Sequence, residues 1–241
     1  MKKYFALKYT EKFIEPFVLE NADKITIVFK IIESYVKKHS DKKPELLYNK
    51  IDFIRFANAT SKEELKKPLI LSVGNLIETK KHKLILEAMK SIEANCLIIG
   101  NGELFDELKQ FIKKNKLENK VKIEKSVSHN EIQQYYKSAS VCALAFDPHQ
   151  EGLPMPIMEA MASGLPVVIP FPMKGYSDGL ENIAVFSKRD AKSFSENINK
   201  LLNDESLRQK FAEKSITKAK EFDRVVLEKR EETIYHELLK K

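Results

Sequence analysis

From Pro68 onward, short apolar runs rich in β-branched residues alternate with longer segments in which apolar positions recur every three or four residues. Residues 69–73, 96–99, 121–123, 141–145 and 166–169 read as strands, several of them apolar on both faces, as strands inside a parallel sheet are. Residues 82–93, 103–116, 130–138 and 156–163 read as helices; in the first, Leu84, Ile85, Ala88 and Met89 repeat at helical spacing and form the stripe to be buried. This βαβα order predicts right-handed crossovers and a doubly wound, Rossmann-like parallel sheet that binds its ligand at the carboxyl ends of the strands. Three further helical stretches, 191–202, 205–220 and 224–239, close the chain. The last has no strand to return to, so it is expected to lie across the outside of the domain or reach toward another.

The first 56 residues follow a different pattern. Residues 4–20 are amphipathic and helical with Pro16 as an interruption, 25–29 and 45–48 are strand candidates, and 31–38 is a helix. Two strands and two helices cannot enclose a core, so this part reads as the tail of an α/β domain whose beginning lies elsewhere. A polar connector, 57–67, follows it. The division expected is therefore 1–56, the linker 57–67, a domain over 68–222, and a helix over 223–241 that packs back toward the N-terminal part.

Composition narrows the function classes. The formal charge is +7, from 42 Lys and Arg against 35 Asp and Glu, with the cations spread along nearly every helical segment. That spread reads as solvation of helix faces, with peripheral contact to an anionic membrane leaflet as the alternative; no aromatic-plus-basic motif points to nucleic acid. Cys96 and Cys142 both sit in apolar runs, so neither a disulfide framework nor a zinc site is expected, and a cytoplasmic setting follows. Lys8, Glu11 and Lys12 break the N-terminal apolar run short of signal-peptide length, and no apolar run approaches the ~20 residues of a membrane span.

The segment with the most chemistry runs from Glu151 to Val168. A loop from Phe146 to Gln150 leads from the fourth strand into Glu151-Gly152-Leu153-Pro154-Met155-Pro156, and a helix carrying Glu159 ends at Gly164. Pro156 suits a first helical turn, where its missing N–H costs nothing. Glu151 in the loop and Glu159 early in the helix are both expected at the strand's carboxyl end, with the free N–H groups of the turn between them favouring an anion such as a diphosphate. The plain alternative is an exposed Glu151 and a Glu159 that merely complements the helix dipole.

This stretch resembles the GT-4 type retaining glycosyltransferases of GT-B fold (glycosyl transferases group 1), whose mark is two glutamates separated by seven residues. The resemblance implies that Glu151 contacts the donor sugar and that Glu159 holds the nucleoside ribose, with Gly152, Leu153, Pro154 and Met155 lining the donor. Pro154 stands where many such enzymes have a second glycine. Leu71-Ser72-Val73-Gly74-Asn75, followed by Lys80 and Lys81, is similar to the stretch where these enzymes place an arginine and a lysine against the leaving diphosphate. Lys80 matches the lysine, Lys81 is a neighbouring candidate, and Asn75 stands at the arginine position without its charge; both lysines also read as ordinary surface residues at a helix start. Gly100-Asn101-Gly102 resembles the family's Gly-x-Gly turn, either as a donor contact or as a purely structural turn, and Val127 is implied near the nucleobase. The five histidines show no metal-ligand spacing, and the phenylalanines of residues 13–56 read as core or domain contacts.

The resemblance makes residues 68–222 a nucleotide-sugar donor-binding domain and residues 1–56 the remnant of an N-terminal acceptor-side domain. It implies a metal-independent hexosyltransferase without cofactor. Its donor would be a UDP-, GDP- or ADP-type sugar and its acceptor a glycan or lipid-linked sugar. Two alternatives stay open: a non-catalytic or split-enzyme donor-binding subunit that needs a separate N-terminal domain, and a sugar-nucleotide epimerase of the same superfold; a missing N-terminal domain or self-association is the partner expected for the N-terminal helix.

Overall fold

The computed structural model describes residues 9–62 and 68–240, so the start of the amphipathic segment at 4–8, including Phe5, and residues 63–67 of the polar connector lie outside the described residues. The chain divides into two compact units, one of residues 1–50 with 225–241 and one of residues 51–224.

In the smaller unit a π turn over Thr10–Ile14 runs into helix α1, Glu15–Asn21. Pro16 does not interrupt this helix. It sits in the first turn, where a missing N–H is tolerated. Strand β1 (Thr26–Ile27), helix α2 (Ile31–His39) and strand β2 (Glu45–Leu46) follow, with β1 and β2 pairing in parallel. Ile25, Ile27 and Val36 are its buried centre, backed by Leu19, Ala22, Ile32 and Leu46. Glu45 bonds both Lys24 and Arg230, and Lys50 pairs with Glu231 at 2.7 Å; Arg230 and Glu231 belong to the part of the last helix, Arg224–Leu239, that groups with this unit. Phe13 and Phe17, expected in a core or a domain contact, are 53% and 65% exposed.

The larger unit opens with α3, Phe53–Ala57, a helix that the pattern does not predict because it is barely more than one turn. Asp52 caps it by accepting from the Arg55 N–H at 3.1 Å, and Phe53 and Phe56 anchor it in the core. Strands β3 (Leu69–Val73), β4 (Asn95–Ile99), β5 (Val121–Glu124), β6 (Val141–Ala143), β7 (Val167–Pro170) and β8 (Val185–Ser187) form one parallel sheet in the order β5-β4-β3-β6-β7-β8. Counted within the unit this is 3-2-1-4-5-6, the Rossmann order, with its reversal between β3 and β6. The three-residue edge strand β8 is too short for its alternation to register in the sequence.

Helices α4 (His82–Ala88), α5 (Phe105–Lys114), α6 (Ile132–Ser138), α7 (Met155–Ala162), α8 (Ala191–Asn203) and α9 (Glu205–Ala219) complete the unit. The apolar strands are buried on both sides, with Ile70, Leu71, Ile98, Val141 and Val168 fully inaccessible. Asp190 and Asp204 cap α8 and α9 through the N–H groups of Ser193 and Leu207. The chain enters and leaves the unit side by side, since Ile51 N–H donates to Phe222 O and Arg224 N–H to Ile51 O. Among the described residues no helix is long and apolar enough to cross a membrane.

Candidate active site

The loops after β3 and β6 meet at the reversal of the sheet. Beyond β3 the backbone keeps pairing with its neighbour: Gly74 N–H donates to Ile99 O, Leu76 N–H to Asn101 O and Leu104 N–H to Leu76 O. This approach is closer than any side chain would allow. A Cβ on Gly100 would fall on the Gly74 carbonyl and one on Gly102 on the Leu76 carbonyl, so backbone packing by itself requires both glycines. Asn75 is exposed.

After Leu76 the chain makes a 3-10 turn, Glu78–Lys80, and Lys81 takes a left-handed conformation (φ 46°) to start α4. Lys81 turns to Glu78 of its own turn at 2.6 Å. Lys80 goes the other way, and its Nζ lies 2.5 Å from Glu151 Oε1 and 2.6 Å from Oε2. Side-chain exposures of 19% and 24% keep water from fully screening this pair. A backbone bond from Asp147 N–H to Thr79 O at 3.0 Å ties the same two loops. Asp147 also organises its own turn: its carbonyl accepts from Gln150 and Glu151 N–H, and its carboxylate from His149 N–H and Arg189.

His82 lies under the first loop with 2% exposure. Its ring contacts Ser72 Oγ through Nδ1 (3.4 Å) and Asn75 O through Nε2 (3.3 Å). Burial pushes its pKa down to about 4, opposed by the carbonyl contact and aided by Lys80, so the ring is neutral and braces the loop without charge.

From Glu151 the chain passes the buried Leu153 to Pro154, which caps α7 with extended backbone; Gly152 and Met155 flank this turn and are partly exposed. Glu159 lies on α7, partly buried, and accepts from the Tyr136 hydroxyl at 2.8 Å. Burial raises its pKa, while Tyr136, His129 and Arg55 act the other way. Arg55 holds the loop after β5, with Nη1 2.8 Å from His129 Nε2, a further bond to the His129 carbonyl, and two to Gln133 Oε1. Val127 lies in that loop, half-buried.

The two glutamates thus stand in different environments, Glu151 on a lysine and Glu159 on a phenol. Sequence reasoning missed the supporting residues Tyr136, Arg55, His129 and His82. The spacing of the histidines in the sequence carries no signal for these contacts, and among the described residues no cluster of three or more His, Cys, Asp or Glu side chains gathers as metal ligands do. A Tyr facing Glu159 across two helices leaves no signal in either segment. Both cysteines are buried free thiols, Cys96 pushed up to about 12 and Cys142 higher by burial and by Glu159.

The parallel sheet in Rossmann order gives the larger unit the α/β fold of the GT-B class. A family model described as Glycosyl transferases group 1 matches residues 53–218, almost the whole larger unit, and the chain belongs to that family. The N-acetylgalactosamine-N,N'-diacetylbacillosaminyl-diphospho-undecaprenol 4-alpha-N-acetylgalactosaminyltransferase of Campylobacter jejuni is 32% identical over 193 residues, 77% of this chain and 52% of that protein. Sucrose-phosphate synthase from Thermosynechococcus elongatus shares the fold with a TM-score of 0.79 at 19% identity, over 94% of this chain and 61% of that one. Anabaena HepE, solved in complex with UDP-glucose, gives 0.77 at 17% identity over 91% and 65%. The chain spans about half the length, or less, of the first curated relatives it matches.

Proposed function

We propose that this chain is the donor-binding part of a GT-4 type glycosyltransferase that moves a hexosyl group from a nucleoside diphosphate sugar to a glycan or lipid-linked acceptor with retention at the anomeric carbon. The observation that carries the reading is the Lys80–Glu151 pair at the reversal of the sheet. In this role Lys80 swings from Glu151 to the diphosphate and neutralises the charge that grows as the anomeric C–O bond breaks, the kind of preorganised electrostatics that contributes most in a water-poor site. Glu151, released, accepts from hydroxyls of the donor sugar, and Glu159 accepts from the ribose. The N–H groups at the start of α7 add partial positive charge toward the diphosphate. Asn75, lacking the arginine charge, makes Lys80 the principal cation for the leaving group. Support comes from the family match and from the named activity of the Campylobacter relative, whose acceptor, by that name, is a lipid-linked sugar.

The smaller unit we assign to the end of an acceptor-side domain, because a two-stranded sheet around three buried aliphatics cannot form a binding cleft by itself. A second reading, a donor-binding subunit that works with a separately encoded acceptor domain, is favoured by the apolar face of Phe13, Ile14, Phe17 and Val18, which lies exposed. The test is a melting-temperature screen with UDP, GDP and ADP, followed by a labelled-sugar transfer assay with the donor of whichever nucleotide stabilises the protein. A rise with one of the three is expected; no rise with any would reject the donor-binding reading.

A further inference from the structure

We infer that Tyr136 is a positioning residue for nucleotide binding: its hydroxyl commits one oxygen of Glu159 to the protein and so presents the other to the ribose. The inference rests on the ribose-binding reading of Glu159.

Tyr136 is fully buried on α6, and its hydroxyl donates to Glu159 Oε2 at 2.8 Å from the helix facing α7. Burial and the adjacent carboxylate hold the phenol well above its usual pKa, so it always keeps its proton and always donates. A glutamate has three rotatable bonds. One fixed hydrogen bond from a fully packed ring removes much of that freedom before the ligand arrives, and such preorganisation appears directly as affinity. The ring is itself fixed, standing edge-on to Phe56 with centroids 5.8 Å apart at 69°. Phe56 belongs to the short helix Phe53–Ala57, whose adjacent residue Arg55 grips the loop carrying Val127 and His129. One turn of helix therefore braces the glutamate and the neighbouring loop together.

The groups facing Glu159 are Tyr136 from α6, Cys142 from β6, His129 from the loop after β5 and Arg55 from α3. Burial favours the protonated carboxyl; the phenol, His129 and Arg55 favour the carboxylate. Removing the hydroxyl leaves burial less opposed. Glu159 then takes up a proton at higher pH, and a protonated carboxyl is a poorer acceptor for ribose hydroxyls.

The experiment is calorimetry on the whole chain with the stabilising nucleotide (UDP, GDP or ADP) and its 2′,3′-dideoxy counterpart, from neutral to mildly acidic pH, for the wild type, Tyr136→Phe, Glu159→Gln and the double variant. Tyr136→Phe should weaken the ribonucleotide about tenfold, leave the dideoxynucleotide unchanged, and move the acid loss of binding to higher pH. The double variant should bind no more weakly than Glu159→Gln alone. Wild-type binding by Tyr136→Phe, equal losses for both nucleotides, or fully additive losses would each overturn the inference. If Glu159→Gln binds both nucleotides as the wild type does, the ribose reading itself fails and the inference falls with it. Should Tyr136→Phe not fold, Phe56→Leu keeps an apolar side chain in the core while taking away the aromatic edge contact with the Tyr136 ring. It should weaken the ribonucleotide selectively and to a smaller extent, and an equal loss for both nucleotides would again be fatal.

Discussion

Lys80 and Glu151, 71 positions apart in the sequence, close a two-pronged ion pair of 2.5 and 2.6 Å because β3 and β6 are neighbours where the sheet reverses. The pair holds both side chains in place and in charge balance. Removing either partner leaves the other charge partly buried and unmatched.

Lys80→Ala should therefore lower sugar transfer by about a hundredfold or more, measured with the acceptor-side domain present, as loss of a preorganised charge donor does. Glu151→Gln should leave nucleotide affinity intact and reduce discrimination between nucleotide and nucleotide sugar. Equal binding of both ligands by the wild type and by Glu151→Gln would remove Glu151 from the sugar site.

His82 makes stability depend on pH. Its folded pKa of about 4 lies below the unfolded value of about 6.5, so the unfolded chain binds the extra proton first. The sign follows: the contribution is fully present above pH ~6.5 and is lost as the pH falls toward ~4, on the order of 3 kcal/mol in all. Thermal melts across that window should show a steeper decline for the wild type than for His82→Gln; parallel curves would mean that His82 is accessible or charged.

Gly100→Ala places a methyl on the Gly74 carbonyl, a backbone group that cannot swing away. A destabilisation of about 3 kcal/mol or more is expected. Gly175→Ala meets nothing nearby and carries only the strain of φ +85°, about 1 kcal/mol. A melting comparison of the two variants tests whether the Gly-x-Gly turn is a packing requirement, and equal small losses would reopen its role as a ligand contact.

The exposed face of Phe13, Ile14, Phe17 and Val18 is expected to drive self-association of the purified chain or to be covered by an acceptor-side domain. Light scattering should show Phe13→Ser with Phe17→Ser to be more monodisperse than the wild type at an unchanged melting temperature. Alone, the chain should bind nucleotide but transfer little sugar, since transfer needs both substrates held in reacting geometry. Robust transfer by a monomer would show that no further domain is required.

The sequence by itself determined whatever depends on local periodicity and short-range spacing. The runs 69–73 and 141–145 are apolar on both faces because they are buried on both, and β3 and β6 formed there. Glu151 and Glu159 flank a turn that Pro154 and Pro156 prepare, so a strand, a loop and a helix in that order were legible. Tertiary structure alone decided which side chains meet. Spacing favours Lys80 over its neighbour Lys81 but shows no partner for either; in the fold, with left-handed backbone at Lys81, Lys81 pairs with Glu78 and Lys80 with Glu151. The contact of Tyr136 with Glu159 needs the packing of α6 beside α7, and that of Arg55 with His129 needs α3 to belong to the larger unit; neither leaves a periodic trace. The glycines of the Gly-x-Gly turn were visible as letters, but their cause, two backbones in contact without side chains between them, exists only once β3 and β4 are paired.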